Sequence, residues 1–469
     1  ERQRGISVAT SVMGFDYSNV KVTILDTPGH HDFSEDTYRT LTAVDSAVMV
    51  VDSVNGVESQ TEKLLEVCRM RATPILTFIN KMDREGQDPI DLLDEIEKKL
   101  RIKVRPLSWP IGGGKRFKGV YNLYEKKLVL FRPHEKQDSE NIIVIHGVDD
   151  PALEGHIGEE AAALLREELA LVDQVYPPFS LDTYLSGEVT PVFFGSAINN
   201  FGVKEMLDCF ITIAPPPRPR ATDVRTVEPD EEKFSGFIFK IHANMDPRHR
   251  DRIAFIRICS GKFERNHWYH HVKTGKDMRF PNPTAFMAQD KTVIDEAWPG
   301  DIVGLHDTGN LKIGDTLTEG ENMIYQGIPR FAPEIFRYVV NEDPMKSKQL
   351  AKGLEHLMDE GVAQMFTGIF DSRRIVGTVG ALQFEVIQHR LKHEYGASCR
   401  FEPLNIYKAL WLDVKPEHQA KLDEFTKNRA SHIATDKYGK LVYFAESKWF
   451  LDQVGRDFPD LQFRLTAEI

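Results

Sequence analysis

Four short apolar runs in the first two hundred residues each end in polar or small residues. The runs are residues 20–25, 47–51, 74–79 and 191–194. Continuous apolar runs of this length are typical of strands that are buried on both faces. Helical patterns lie between them, at residues 58–71 and 89–100. This alternation predicts that all four runs join one mostly parallel sheet covered by helices, with any chemistry at the carboxyl ends of the strands.

A proline-rich break at residues 215–220, continued by acidic residues at 228–232, separates this α/β part from the rest of the chain. Proline-rich segments of this kind form semi-rigid linkers between domains. From residue 234 to about residue 330, short alternating runs are punctuated by glycine and proline. Three of these runs occupy residues 236–241, 253–258 and 301–305. The pattern predicts a small β-barrel.

The remainder, residues 333–469, predicts an α+β domain in which the order strand, helix, strand, strand, helix, strand occurs twice. That order is the split βαβ unit of ferredoxin-like folds. The first copy has its elements at residues 335–340, 345–360, 362–370, 374–379, 381–395 and 398–403. The second copy has them at residues 407–414, 416–429, 431–435, 440–445, 447–456 and 460–466. We therefore expect an α/β domain over residues 1–218, a β-barrel over residues 219–332 and an α+β C-terminal domain over residues 333–469.

Composition narrows the classes of function. At roughly 150 residues per domain, 469 residues suit three domains. A formal net charge of −12 argues against general nucleic-acid binding and leaves room for a local basic face. The four cysteines are far apart and form no CxxC, which argues against a disulfide framework or a zinc site and suits a reducing, cytoplasmic location. Since no apolar run approaches the ~18 residues that span a bilayer, we expect no membrane partner.

The sequence Asp26-Thr27-Pro28-Gly29-His30 directly follows the first apolar run. A carboxylate at the end of a strand can hold Mg²⁺ through a water, and a glycine lets its backbone N–H come close to a terminal phosphate. A histidine beside that glycine can orient a water for attack on phosphorus. Taken by itself, the segment is equally well an ordinary turn after a strand.

Two further polar segments follow the third and fourth apolar runs. In Asn80-Lys81-Met82-Asp83, the carboxylate of Asp83 can accept hydrogen bonds from the ring N–H and the exocyclic amine of guanine, a donor pair that adenine lacks. The stem of Lys81 can lie over the base, and Asn80 can tie loops together. In Gly195-Ser196-Ala197, small residues let backbone N–H groups reach a base carbonyl. Each segment by itself could also be an exposed loop or a generic turn.

The three segments occur in a fixed order after Arg4-Gly5-Ile6-Ser7, and together the four motifs resemble the translational GTPase family. The resemblance implies that they are switch I, switch II, the guanine-specificity loop and the last base-contact loop. It implies GTP or GDP and Mg²⁺ as cofactors, with His30 as the catalytic residue. The implied nucleotide-binding residues are Asp26, Gly29, Asn80, Lys81, Asp83, Ser196 and Ala197. The implied Mg²⁺ ligands are Ser7, which retains the hydroxyl of the family's usual Thr, and Asp26 through a water.

The chain contains no G-x-x-x-x-G-K-[ST] segment, the phosphate-binding P-loop that this family carries. The nearest segment, Gly112-Gly113-Gly114-Lys115-Arg116, lacks the Ser or Thr after its lysine and follows the guanine-specificity loop, which is the wrong order. We therefore expect the P-loop to lie upstream of residue 1, so that Glu1-Arg2-Gln3-Arg4 falls in the tail of switch I.

Within the family, a G domain of the P-loop-GTPase type followed by a barrel and an α+β domain resembles the bacterial class-II peptide chain release factors. The detailed likeness covers residues 174–187, 245–252, 334–353 and 380–386. It implies a monomeric, ribosome-stimulated GTP hydrolase that contacts ribosomal RNA and proteins. Such a factor acts indirectly on class-I release factors, promoting their dissociation and recycling after peptide release. Two alternatives stay open: an elongation-factor-G-like ribosomal GTPase of another role, and a ribosome-binding module that does not hydrolyse GTP.

Residues 248–279 form a basic segment in this acidic chain, with nine Arg and Lys residues against three acidic ones, a net charge of +6. Histidine and aromatic residues are interleaved with the charges. One interpretation is contact with the phosphates of ribosomal RNA, with Arg248, Arg250 and Arg252 as the candidates. The other is a solvated face of the barrel.

Overall fold

The computed structural model describes residues 7–131, 142–144, 147–243, 252–287, 290–328, 332–413 and 418–464. The chain divides into two compact units. We call Val44–Arg218 the central unit, and Glu1–Ala43 together with Pro219–Ile469 the split unit. In the described ranges, no helix has both the length and the apolar character needed to cross a membrane. The division into three domains stays a prediction.

The split unit begins with a β-hairpin made of β1 (Ser11–Tyr17) and β2 (Val20–Asp26). The two connecting residues, Ser18 and Asn19, have φ values of 47° and 64°. Two consecutive left-handed residues form the turn whose twist matches that of antiparallel strands. A short 3-10 turn at His31–Phe33 then leads into helix α1 (Ser34–Leu41).

The prediction that residues 20–25 belong to the parallel sheet is wrong in this structure. β2 instead pairs antiparallel with β1 along its whole length, and β1 in turn pairs parallel with a strand of the split unit at Gly14↔Met287. Because the two strands are adjacent in sequence, the loss of chain entropy on pairing them is small. The apolar run also overstated burial, since Val22 is the one buried residue of β2.

The central unit contains a parallel sheet and an antiparallel one. Its elements are β3 (Ala47–Asp52), α2 (Ser59–Met70), β4 (Ile75–Asn80), α3 (Pro89–Leu100), β5 (Lys103–Pro106), β6 (Ser108–Ile111), β7 (Gly119–Asn122), β8 (Lys127–Leu130), β9 (Ile142–Val144), α4 (Ala152–Ile157), α5 (Glu159–Val175), α6 (Leu181–Leu185), β10 (Val189–Phe194) and α7 (Val203–Ile213). The parallel sheet has the order β3-β4-β10-β5. The predicted strands at residues 47–51, 74–79 and 191–194 and the predicted helices at 58–71 and 89–100 are confirmed.

The sheet β6-β7-β8-β9 and the helices α4 and α5 of the central unit were not predicted from the sequence. The strands of this sheet have three or four residues each, which is too short for a clear alternating pattern. Trp109 of β6 is buried and donates its indole N–H to Glu168 of α5 at 2.8 Å. This bond joins the antiparallel sheet to the long helix within the unit.

The next part of the split unit is the strand-rich segment predicted as a barrel. Its strands are β11 (Arg220–Ala221), β12 (Thr226–Val227), β13 (Ser235–Ala243), β14 (Arg252–Ser260), β15 (Phe263–Glu264), β16 (Trp268–His271), β17 (Lys276–Arg279), β18 (Thr284–Met287), β19 (Asp290–Val293), β20 (Glu296–Ala297), β21 (Ile302–Asp307) and β22 (Thr316–Thr318). The main sheet has the order β17-β16-β22-β13-β14-β21-β18-β1-β2, with β19 paired to β18. The pair of β1 and β18 is parallel, and the other neighbouring strands of this sheet pair antiparallel. All nine residues of β14 are buried.

The C-terminal part of the split unit confirms both predicted split βαβ copies. Its elements are β23 (Ile335–Asn341), α8 (Ser347–Asp359), β24 (Gln364–Gly368), β25 (Arg374–Thr378), α9 (Ala381–Tyr395), β26 (Cys399–Leu404), β27 (Lys408–Asp413), α10 (Gln419–Asn428), β28 (Ile433–Asp436), β29 (Leu441–Ala445), α11 (Lys448–Asp457) and β30 (Gln462–Arg464). The strands form one antiparallel sheet in the order β26-β23-β25-β24-β28-β29-β27-β30. The two copies therefore meet edge to edge where β24 pairs with β28.

Candidate functional site

In the central unit, the two predicted base-contact loops lie side by side because they follow neighbouring parallel strands. β4 ends at Asn80 and β10 ends at Phe194. The side-chain oxygen of Asn80 accepts hydrogen bonds from the backbone N–H of Lys81 and of Ala197, both at 2.8 Å. Asn80 therefore ties the two loops together, as the sequence predicted for a residue of this kind at this place.

The carboxylate of Asp83 is held in place by the second loop. Its Oδ1 accepts a hydrogen bond from the hydroxyl of Ser196 at 2.5 Å, and the amide of Asn199 donates to the same hydroxyl oxygen at 2.8 Å. Ser196 is completely buried, whereas Asp83 is half-buried. Within the described ranges, no side chain or backbone group bonds to Oδ2 of Asp83. The arrangement thus presents a fixed anionic acceptor at the edge of the loops.

Lys81 is held by Asp52, the last residue of the neighbouring parallel strand β3. Its backbone is left-handed, with φ of 69°, and its ammonium lies 2.5 Å from Oδ2 of Asp52 at the end of β3. Burial raises the pKa of Asp52, but the bonds from Lys81 and from the N–H groups of Val54 and Asn55 outweigh it and lower the pKa. With its charge neutralised at this end, Lys81 offers an anchored aliphatic stem. Asp52 was not singled out from the sequence.

The glycine of the second loop is required by close packing. A Cβ atom on Gly195 would lie 2.3 Å from the carbonyl oxygen of Phe201 and 2.7 Å from the ring of Phe78. The N–H of Ser196 donates to the same Phe201 carbonyl at 3.0 Å. Since the N–H of Ala197 is also used, by Asn80, both N–H groups predicted to face a base carbonyl have partners within the loops.

In the split unit, the segment Asp26–His30 forms an exposed turn after β2. Asp26 ends the strand with an exposed carboxylate, which makes no hydrogen bond or ion pair with any described residue. Pro28 is buried, and its carbonyl accepts a hydrogen bond from the hydroxyl of Thr37 at 3.0 Å. Gly29 has open space where a side chain would point. The turn is therefore anchored at Pro28 and open at Asp26 and Gly29.

His30 is oriented by a bond to its own loop. Its Nδ1 accepts a hydrogen bond from the backbone N–H of Asp32 at 3.2 Å. A neutral imidazole that accepts through Nδ1 carries its proton on Nε2. The side chain is 40% exposed, so this N–H can reach a water or a ligand.

The side chain of Asp32, which was not singled out from the sequence, joins the His30 turn to helix α9. Its Oδ2 accepts a hydrogen bond from the N–H of Leu382, in the first turn of α9, at 2.6 Å. Its Oδ1 lies 3.5 Å from Nδ1 of His30. A Cβ on Gly380 would lie 2.1 Å from the carboxyl carbon of Asp32, so a glycine at 380 permits this approach. No sequence pattern indicated this contact, because Asp32 and Leu382 are 350 residues apart.

Helix α1, which follows the turn, is fixed by a buried ion pair. Asp36 accepts from the ammonium of Lys240 at 2.9 and 3.0 Å and from the N–H of Thr10 at 2.6 Å. Burial raises the pKa of Asp36, but Lys240 and then Arg39 outweigh it and lower the pKa to about 2. Arg39 also donates to the carbonyl of Gly361 at 2.8 Å. The helix is thus joined to β13 on one side and to the end of α8 on the other.

The chemistry of the two predicted Mg²⁺ ligands, Asp26 and Ser7, fits a hard cation. A carboxylate without a protein partner and a hydroxyl such as that of Ser7, which is half-buried, are oxygen ligands of the kind that Mg²⁺ prefers. In the part of the chain that the structure describes, no cluster of three or more His, Cys, Asp or Glu side chains is placed to hold a metal by itself. The assignment of Ser7 and Asp26 as ligands stays a prediction.

The structure does not place Arg252 on the exposed face that the charge pattern suggested. Its side chain is 5% exposed and forms an ion pair with buried Asp359 at 2.7 Å, so it does not reach the surface. Arg248 and Arg250 lie outside the described residues. Several charges of the same segment are paired within the protein: Lys262 with Glu264 and Glu296, Arg265 with Asp295, and His270 with Asp277. These pairs favour the interpretation as a solvated, internally compensated face.

Three family models match the chain in succession. The elongation factor Tu GTP-binding domain model matches residues 1–216, the elongation factor G domain 2 model matches residues 233–320, and the model of the C-terminal domain of class II release factor RF3 matches residues 325–455. Among solved structures, a crystal structure of a protein from Thermus thermophilus is similar, with a TM-score of 0.69 and 19% sequence identity. The match covers 88% of this chain and 64% of that one, so this chain spans less than two thirds of that structure.

At 19% identity the structural likeness concerns the fold alone, whereas the family models identify the chain. The first two models cover the loops and the strand-rich segment of translation factors in general. The third covers most of the two split βαβ copies and is specific to one class of release factor. Together the three matches support a translational GTPase of the release factor 3 type.

Proposed function

We propose that this protein is a ribosome-stimulated GTP hydrolase that promotes dissociation of class-I release factors after peptide release. The proposal that the protein binds a guanine nucleotide rests on the fixed carboxylate of Asp83. Ser196 donates a hydrogen bond to one of its oxygens, and the other oxygen is open. The match of residues 325–455 to the release factor model supports the role in termination. The ribosome, with its RNA and proteins, is the proposed partner, and class-I release factors are affected indirectly.

Base selection follows from the chemistry of Asp83. The open oxygen and the shared one can accept the ring N–H and the exocyclic amine of guanine. A base that lacks this donor pair would leave a partly desolvated carboxylate unpaired, which is the strongest form of selection by hydrogen bonding. Lys81, anchored by Asp52, covers one face of the base with its stem. Asn80 keeps the two loops at a fixed spacing so that these groups act together.

Hydrolysis is proposed to depend on the Asp26–His30 turn. Mg²⁺, when held by the hydroxyl of Ser7 and through a water by Asp26, would neutralise charge on the phosphates. Gly29 leaves room for a phosphate to approach its backbone N–H. His30 donates from Nε2 toward the attacking water and acts by orienting it and by electrostatics. The carboxylate of Asp26, which has no partner among the described residues, and the orientation of His30 by the N–H of Asp32 support these roles.

The nucleotide part is tested with Asp83→Asn. The variant exchanges an acceptor for a donor, so it should lose GTP affinity by roughly a hundredfold or more and gain affinity for xanthosine triphosphate, whose base presents a carbonyl in place of the amine. Nucleotide affinities of the complete gene product are measured by titration. Asp91→Asn, an exposed carboxamide substitution on α3, is the matched control and should leave both affinities unchanged. An unaltered preference in Asp83→Asn would refute the assigned role.

The termination role is tested separately from nucleotide binding. Release complexes that hold a class-I factor are mixed with the complete gene product and GTP, and departure of the class-I factor is timed. Faster departure with GTP than with a non-hydrolysable analogue is the expected result. GTP hydrolysis without any effect on the class-I factor would favour a ribosomal GTPase of another role, and ribosome binding without hydrolysis would favour the non-hydrolysing module.

A further inference from the structure

A cavity of about 560 Å³ lies in the split unit between the loop after β21 and helix α8. The loop contributes Thr308, Gly309 and Lys312, and the helix contributes an exposed face with Lys348 and Lys352. The volume exceeds that of a single small anion and suits a ligand with several charged groups. No residue of the predicted nucleotide loops lines it.

The base of the cavity holds more positive than negative charge. The buried carboxylate of Asp359 accepts from Arg252, Lys312 and Lys437, each at 2.7 Å. Burial raises the pKa of Asp359, but Lys437 and Lys312 outweigh it and lower the pKa to about 2, so the carboxylate is ionised at neutral pH. Arg252, Lys312 and Asp359 line the cavity whereas Lys437 does not, so the lining at its base has a surplus of one positive charge.

The wall of the cavity adds to this surplus. Lys348 and Lys352 are one turn apart on α8, and in the described ranges neither has a carboxylate within ion-pair distance. Glu355 is the second acid of the lining, so the lining as a whole has four positive and two negative charges, a surplus of two positive charges. The pKa of His356 is lowered by burial and then by Arg252 and Lys352, which is consistent with a positive local field.

The buried guanidinium of Arg252 forms part of the cavity lining. The residue is 4% exposed, and its Nε is buried with no hydrogen-bond partner in the described part of the chain. Gly309 packs against the same guanidinium, since a Cβ there would lie 3.4 Å from Nη1. The cavity thus combines a surplus of positive charge on its lysines with a buried guanidinium that is paired with Asp359.

We infer that this cavity binds a ligand that carries two or more phosphate groups. Lys312, Lys348 and Lys352 act as point charges toward phosphate oxygens, and the lining becomes electrically balanced when about two negative charges enter the cavity. A free polyphosphate, as in a nucleotide, and the backbone of single-stranded RNA both have this chemistry. The inference does not depend on the proposed GTP site.

The test uses the complete gene product saturated with GDP, so that phosphate-binding loops of the nucleotide site are occupied. Inorganic tripolyphosphate and an oligouridine RNA are the two probes, and binding is measured by titration calorimetry. In Lys348→Gln/Lys352→Gln, which removes two exposed charges, affinity for the true class of ligand should fall roughly tenfold or more. Lys392→Gln/Lys427→Gln, on exposed positions of α9 and α10, removes the same charge elsewhere and is the matched control.

The pattern of losses distinguishes the two sources. Weaker tripolyphosphate binding alone supports a free polyphosphate, and weaker RNA binding alone supports an RNA backbone. For the RNA, the slope of log K against log salt should also become shallower by about 1.4, since roughly 0.7 per neutralised phosphate is lost for single strands. If the variant binds both probes as the wild type does, or if the control loses as much affinity, the cavity is not a phosphate site.

Discussion

The buried ion pair between Asp36 and Lys240 gives a quantitative prediction. The side chains are 18% and 5% exposed, and the ammonium lies 2.9 Å from the nearer carboxylate oxygen. Removing one partner of a buried pair leaves the other uncompensated, which typically costs about 3–5 kcal/mol. We therefore expect Lys240→Met to destabilise the split unit by about this amount. Asp36→Asn/Lys240→Met should be less destabilised than the sum of the two single variants, by more than about 1 kcal/mol.

The pH dependence of the same variants has a definite sign. In the wild type, the pKa of Asp36 is about 2, below its ordinary value of 3.8. The difference corresponds to about 2 kcal/mol of stability that is present above about pH 4 and is lost as the pH falls toward about 2. In Lys240→Met, burial then dominates and raises the pKa, so protonation favours the folded state. The stability difference between wild type and Lys240→Met should therefore shrink as the pH falls from about 7 to about 4.

The assay is urea unfolding followed by tryptophan fluorescence. Four of the five tryptophans, Trp268, Trp298, Trp411 and Trp449, lie in the split unit, so the signal reports mainly on its unfolding. Comparing midpoints at constant slope isolates the change in the free energy of unfolding. Lys240→Met with a midpoint equal to that of the wild type, or a stability difference independent of pH over the same range, would refute the reasoning.

Two further predictions concern glycines at close contacts. Gly195→Ala should abolish measurable GTP binding in equilibrium titration, because the new Cβ would meet the Phe201 carbonyl at 2.3 Å and separate the two base-contact loops. The control variant Gly113→Ala should bind GTP normally, because a Cβ at residue 113 has open space around it. Gly380→Ala should displace Asp32 from α9 and speed amide hydrogen exchange at Leu382 roughly tenfold or more, whereas unchanged protection there would show that the contact is not maintained in solution.

Much of the fold follows from patterns that are local in sequence. Each strand and helix of the two split βαβ copies was predicted at its place, because alternating strands and amphipathic helices carry their own period. The prediction for residues 20–25 failed because an apolar run does not show which neighbour a strand pairs with. The strand immediately upstream became its hairpin partner. The short strands β6 to β9 were not predicted because three or four residues are too few to show an alternating pattern.

The candidate site was predictable where one loop supplies the chemistry and unpredictable where distant segments meet. Asn80 and Asp83 were found because their side chains have a recognisable use at the end of a strand. The contact of Asp32 with Leu382 and the burial of Arg252 against Asp359 join residues that are 350 and 107 positions apart. Charge counting placed Arg252 on a surface, whereas tertiary pairing buries it.

The central claim is that His30 orients water in ribosome-stimulated GTP hydrolysis. It is tested most directly by steady-state GTP turnover of the complete gene product with saturating ribosomes, comparing wild type, His30→Ala and His31→Ala. His31 is the neighbouring exposed histidine and serves as the control. We predict that His30→Ala binds GTP normally but turns over on the order of a hundredfold more slowly, while His31→Ala keeps wild-type turnover. Wild-type turnover in His30→Ala would contradict the account.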